Sequence, residues 1–213
     1  MSQYTVEQIL TSACPVMPVL AIPQLEHAVP LARALFDGGL KVLEITLRTP
    51  VAMDAIAQIK QHLPEVIVGA GTVTTVEQLD ALDKLGCDFA ISPGATEQLL
   101  AAGKKTAMPY LPAIATPSEL MLGLEYGYDH FKFFPAGTYG GVKTLKAIAG
   151  PFADIRFCPT GGISEADFED YLKLDNVLCV GGSWVAPSKL IVAQDWQQIT
   201  DLARQAVAKA KQA

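Results

Sequence analysis

Residues 130–136 read HFKFFPA. A run this short and this apolar, closed by a proline, reads as a buried strand, and Lys132 is the residue that does not belong in one. Seven more β-rich apolar runs share its character: PVMPVLAI (15–22), VLEITLR (42–48), VIVGAGTV (66–73), FAISPG (89–94), AMPYLPAI (107–114), IRFCPTGG (155–162) and VLCVGGSW (177–184). The segments between them have helical periodicity. Eight strands alternating with helices predict a parallel α/β fold, and eight repeats favour a closed (β/α)8 TIM barrel over the alternative, a doubly wound open sheet. No linker, low-complexity tract or charge block divides the chain, so residues 1–213 are expected to form one domain.

Helix signals fall between the strands. In LEHAVPLARALFDGG, Ala28, Leu31, Leu35 and Phe36 share a core-facing stripe and the glycine pair ends the helix. Thr49 before Pro50, Thr116 before Pro117 with Glu119 three residues on, and Ser164 with Asp167 three residues on read as helix starts. A last helix runs from about Trp196 to Lys211.

Of the 213 residues half are apolar and 18% charged, with a formal charge of -6 and no cluster of lysine and arginine. That balance disfavours a nucleic-acid or anionic-membrane partner. Cys14, Cys87, Cys158 and Cys179 lack CxxC spacing and read as reduced core residues, and with His27, His62 and His130 isolated, no metal site is expected. The first residues, MSQYTVEQIL, show no basic-then-apolar leader, and no run of about 18 apolar residues follows. A cytoplasmic protein is expected.

Side chains alternate along a strand, so Val42, Glu44, Thr46 and Arg48 share one face and Leu43, Ile45 and Leu47 the other. The second set is purely apolar and suits the helices. Glu44 and Arg48 then point into the barrel, with Arg48 at the C-terminal end, where such barrels build active sites. The same parity groups Val68, Ala70 and Thr72 in the third strand and Arg156, Cys158 and Thr160 in the seventh, and turns Lys132 inward against Phe131 and Phe133. Burial disfavours the charged form of a lysine. Two readings follow: a neutral amine kept as a nucleophile for a ketone, by Schiff-base formation, or a structural lysine that snorkels or pairs with Glu44. PTGGIS (159–164) and VGGSW (180–184) each end a strand with paired glycines and a hydroxyl residue, a pattern suited to phosphate at the loops after the last two strands.

Taken together, VLEITLRT, GAGTV, ISPG, FKFFPA, RFCPTGGIS and VLCVGGSW resemble, nearly end to end, the 2-keto-3-deoxy-6-phosphogluconate (KDPG) aldolases of the Entner-Doudoroff pathway, including forms that also cleave 4-hydroxy-2-oxoglutarate. The resemblance implies a class I aldolase, a homotrimer, with no metal or cofactor and a phosphorylated 2-keto-3-deoxy sugar acid and pyruvate as its small-molecule partners. It implies Lys132 as the Schiff-base lysine and Glu44 as the general acid/base. Arg48, Thr72 and Thr160 would hold substrate oxygens, and Gly161, Gly162, Gly182 and Ser183 the phosphate. Two positions depart from the family pattern: Pro112-Ala113 stands where Pro-Gly is expected after the fifth strand, and Gly137 where FKFFPA is often followed by Glu. Both are expected in loops that shape the aldehyde end of the pocket. The alternatives are an aldolase for the galactonate epimer or for unphosphorylated 4-hydroxy-2-oxoglutarate, a phosphate-binding barrel isomerase or epimerase, and a phosphosugar-binding protein without turnover.

Overall fold

The computed structural model describes residues 4–211; residues 1–3 and 212–213 of the expected domain lie outside the described residues. Its strands are β1 (Val16–Leu20), β2 (Val42–Thr46), β3 (Ile67–Gly71), β4 (Ala90–Ile91), β5 (Tyr110–Leu111), β6 (Ala113–Ile114), β7 (His130–Phe133), β8 (Arg156–Pro159) and β9 (Val180–Gly182). The helices are α1 (Val6–Ser12), α2 (Ala28–Asp37), α3 (Ala52–His62), α4 (Val76–Leu85), α5 (Glu97–Gly103), α6 (Pro117–Glu125), α7 (Gly141–Ala149), α8 (Phe168–Leu172), α9 (Ser188–Val192) and α10 (Trp196–Ala210).

All the ladders are parallel. Six strands pair in the order β5-β4-β3-β2-β1-β9 and three in the order β6-β7-β8, giving an α/β fold of curled parallel sheet. The run AMPYLPAI thus supplies two short strands rather than one. Pro112 separates them: it has no N–H to donate, its carbonyl accepts from the amide of Lys132 at 2.9 Å, and pairing passes from β4 on one side to β7 on the other. Isolated bridges Phe157–Val177 and Thr160–Gly181 join β8 to the segment that carries β9.

Parity sorts the apolar side chains into two cores. The larger lies between sheet and helices and takes Leu43 and Ile45 of β2, Phe131 and Phe133 of β7, and Ala28, Leu31 and Leu35 of α2, all 0% exposed. Phe36 is half-buried against it, and the glycine pair does end α2, with Gly39 in the left-handed region at φ +96°. The smaller core lies on the opposite sheet face at the N-terminal ends of the strands, where Met17, Val42, Ile67, Phe89, Ile91, Leu111, Cys158 and Cys179 pack against Ile9 and Leu10 of α1. Gly69 belongs to this arrangement, because a Cβ there would fall into the Phe89 ring.

Of the predicted helix starts, Thr116 forms the full capping box with Glu119 at α6. Thr49 does not cap: α3 begins at Ala52 after an uncapped Val51, and only the Thr49 carbonyl takes part, accepting from the Ala52 amide at 3.2 Å. Ser164 and Asp167 interact in the reverse sense, with the Asp167 carboxylate accepting from the Ser164 amide (2.7 Å) and hydroxyl (2.8 Å), and α8 starts only at Phe168. In both cases a proline- or serine-led turn precedes the helix and displaces its start.

Candidate active site

Two residues further along the same strand face, the apolar core gives way to charge. Glu44 follows Val42 on β2, and Lys132 of β7 reaches it across the interior, with Nζ 2.9 Å from Oε1 and 3.1 Å from Oε2. Glu44 is 1% exposed and Lys132 5%. A buried pair stands only if its geometry is good and its polar atoms are satisfied; here both carboxylate oxygens accept from one ammonium, and the Phe134 ring lies 5.6 Å from Nζ. The space for the carboxylate comes from the neighbouring strand, because a Cβ on Gly71 would coincide with Glu44 Oε1.

Above the pair opens a cavity of about 200 Å³, lined by Glu44, Arg48, Thr72, Lys132 and Thr160 together with Val19, Thr46, Pro93 and Phe134. All five residues expected to act on the substrate's keto-acid end therefore meet in one place. Arg48 sits two residues beyond the end of β2, exposed, with Nε donating to Thr46 Oγ1 at 2.9 Å. Among the described residues it has no carboxylate partner. Thr160 is 5% exposed and sits abreast of Gly181, whose missing Cβ would otherwise strike the Thr160 hydroxyl.

The third strand departs from the parity expected of it. Val68 and Ala70 face the helices, whereas Ile67 faces the inner core. Thr72 nevertheless reaches the cavity because it lies past the end of β3 in the left-handed region, at φ +61°. A β-branched residue rarely adopts that conformation, at a cost of roughly 1–2 kcal/mol, and such outliers gather at functional sites. Arg156, grouped with Cys158 and Thr160, sits at the far end of β8 and donates to the carbonyls of Ala153 (2.9 Å) and Ile155 (3.1 Å), away from the cavity.

The four residues expected at phosphate lie beside the cavity rather than in its wall. Gly161 (φ +96°) and Gly162 (φ +74°) follow Thr160 in conformations that suit glycine, and Gly182 and Ser183 end β9 alongside. The loop after β7 is tied to them, with Ala136 N–H donating to the Thr160 carbonyl and Gly137 N–H to the Gly161 carbonyl, each at 2.8 Å. Gly137 thus lies in a loop, as expected of it. Ala113 does not: it is fully buried in β6, directly abreast of Lys132.

Several lining residues had no assigned role in the sequence. Phe134 and Pro93 stood inside the quoted motifs FKFFPA and ISPG, and Thr46 stood on the inward face of β2, so position was the available signal.

The KDPG and KHG aldolase family model matches residues 6–202. The KHG/KDPG aldolase of Escherichia coli (strain K12) is 57% identical over 205 residues, covering 96% of each chain. A crystal structure of KDPG aldolase from Legionella pneumophila, with pyruvate captured as a covalent carbinolamine, matches at TM-score 0.91 and 51% identity, covering 92% of this chain and 96% of that one. The Zymomonas mobilis ZM4 2-keto-3-deoxy-6-phosphogluconate aldolase with 3-phosphoglycerate matches at TM-score 0.90 and 45% identity, covering 95% of each. Matched by the family model over residues 6–202 and by a relative 57% identical over 96% of each chain, the chain belongs to the KDPG and KHG aldolase family.

Proposed function

We propose that this chain is a class I aldolase of the Entner-Doudoroff pathway that reversibly cleaves 2-dehydro-3-deoxy-6-phosphogluconate to pyruvate and glyceraldehyde 3-phosphate, and that it also cleaves 4-hydroxy-2-oxoglutarate to pyruvate and glyoxylate. The observation that carries this reading is the Lys132–Glu44 pair facing a cavity whose mouth holds Arg48, a cation without a carboxylate partner among the described residues. A buried ion pair by itself is a poor stabiliser, but a lysine hydrogen-bonded to a base is a nucleophile in waiting.

Glu44 takes a proton from the Lys132 ammonium, and the neutral amine attacks the C2 ketone of the substrate. Glu44 returns the proton to the carbinolamine hydroxyl, which leaves as water and gives an iminium. Glu44, a carboxylate again, then removes the C4 hydroxyl proton; the C3–C4 bond breaks, its electrons flow into the iminium, and the aldehyde departs. The remaining enamine is protonated at C3, and hydrolysis releases pyruvate and the amine. Arg48 and Thr72 hold the carboxylate, the former by the paired N–H geometry of a guanidinium. Thr160 contacts a substrate oxygen, and Gly161, Gly162, Gly182 and Ser183 receive the phosphate through close backbone approach. The lysine is its own electron-sink reagent, so the scheme draws on no metal or cofactor.

We further infer that the two sheets are parts of one closed (β/α)8 barrel, that residues 1–213 are one domain, and that the enzyme works as a cytoplasmic homotrimer. Barrel closure is supported by the shared run through Pro112 at one seam and the bridges between β8 and the β9 segment at the other; the family supports the trimer.

The kcat/KM values for the phosphorylated and unphosphorylated substrates test the assignment. A phosphate site used in the transition state predicts a ratio of at least about a hundredfold. A ratio near one would remove phosphate from the two glycine loops and leave 4-hydroxy-2-oxoglutarate as the principal substrate.

A further inference from the structure

Arg48 is not aimed by the strand that carries it. It lies beyond the last ladder position of β2, where an exposed, flexible side chain has many rotamers and a carboxylate site needs one. One hydrogen-bond relay restricts it. Thr46, 2% exposed, donates its hydroxyl to the carbonyl of Leu20 at the end of β1 (2.7 Å), which fixes the direction of the hydroxyl lone pairs. One of those lone pairs accepts the Nε–H of Arg48 at 2.9 Å. The guanidinium is thereby held by its Nε edge, and the edge formed by its two terminal nitrogens is left for the ligand, the side that offers paired N–H groups to a carboxylate.

We propose that Thr46 is the positioning residue of the carboxylate subsite: through the relay from the Leu20 carbonyl to the Thr46 hydroxyl to Arg48 Nε, it sets the guanidinium plane that receives the 2-keto acid. Thr46 itself touches no reacting atom. The inference rests on the aldolase reading and names the residue that orients the carboxylate-binding arginine at that site. It also explains a buried hydroxyl on a strand face otherwise occupied by the charged pair and the apolar core.

The test is steady-state kinetics of the full-length enzyme with the Thr46→Val and Thr46→Ser variants, in the wild-type and Arg48→Met backgrounds. A hydrogen bond to a charged group is worth enough that Thr46→Val raises the KM for pyruvate in the condensation direction about tenfold. The kcat changes by less than about threefold, because a group lost from ground and transition states alike moves KM alone. Thr46→Ser keeps the relay and stays within about twofold of wild type on both parameters. With Arg48 already replaced by Met, Thr46→Val adds nothing. If the valine variant does not fold, Thr46→Cys, of similar size with a much weaker acceptor, gives a rise in the same direction. A folded Val or Cys variant with unchanged KM, or an equal effect in the Arg48→Met background, overturns the proposal. Trapping of pyruvate on the wild-type enzyme by borohydride keeps the two readings separate: with the adduct present and KM unmoved, the relay fails and the aldolase stands.

Discussion

The inner sheet face holds two tiers built from the same strands, and they obey opposite rules. The lower tier, with Met17, Val42, Phe89, Leu111 and Cys179, is apolar and closed beneath by Ile9 and Leu10 of α1. The upper tier begins one parity step along, at Glu44 beyond Val42 and Thr160 beyond Cys158, and holds a buried ion pair, the cavity-lining Arg48 and a left-handed threonine. The lower tier gains stability from every buried methylene. The upper tier gives some of it up to charge burial and backbone strain, which the proposed aldolase chemistry would account for. Glycine serves both: Gly69 makes room for a phenylalanine below, and Gly71 for a carboxylate above.

The largest expected effect lies in the upper tier. Lys132→Ala removes the nucleophile and is expected to lower kcat/KM by at least about four orders of magnitude, measured by pyruvate release. Near-normal turnover in the folded variant would make the upper tier structural like the lower one. The complementary break is below. Phe89→Ala removes the largest lower-tier side chain and is expected to cost about 3–5 kcal/mol in urea unfolding, while kcat at a temperature where the variant stays folded remains within a few-fold of wild type.

These two substitutions probe what the sequence makes legible to different degrees. Parity over VLEITLR predicts the inward Glu44 and the helix-facing Leu43 and Ile45, because the five residues of β2 keep the strand period without a break and leave one choice of register. The same reasoning on VIVGAGTV groups Val68 and Ala70 with Thr72, whereas only Thr72 reaches the cavity. Thr72 is the reason: it leaves the strand period in a left-handed turn, and nothing in its neighbours' chemistry marks that conformation. Thr49 and Ser164 carry the residue types of helix caps without the geometry, since cap strength depends on where the backbone turns. Thr46 lies on the predicted inward face, but its partner is a carbonyl of another strand, and cross-strand contacts of that kind have no local signature. Pro112 is visible as a proline and invisible as the point at which pairing changes hands.

A smaller effect sharpens the comparison through pH. The lower-tier Cys179 thiol is pushed well above its ordinary 9.0 by the neighbouring Cys158 and by burial. The unfolded chain therefore releases this proton first: stability from Cys179 is intact below pH 9 and is lost as pH rises above it. The expected steepening is at most about 1.4 kcal/mol per pH unit, seen as a shallower alkaline loss in Cys179→Ala than in wild type when urea unfolding is compared at pH 8 and 10. Parallel pH dependence in the two proteins would mean that the lower tier does not shield its thiols.

An imine on Lys132 is detected by peptide mapping with mass spectrometry after incubation with pyruvate and borohydride, which reduces the imine to a stable secondary amine. One pyruvyl adduct per chain is expected, located on Lys132 and absent from Lys132→Ala. Folded protein that carries no adduct, or carries it on another lysine, would contradict it and return the buried Lys132–Glu44 pair to a structural role.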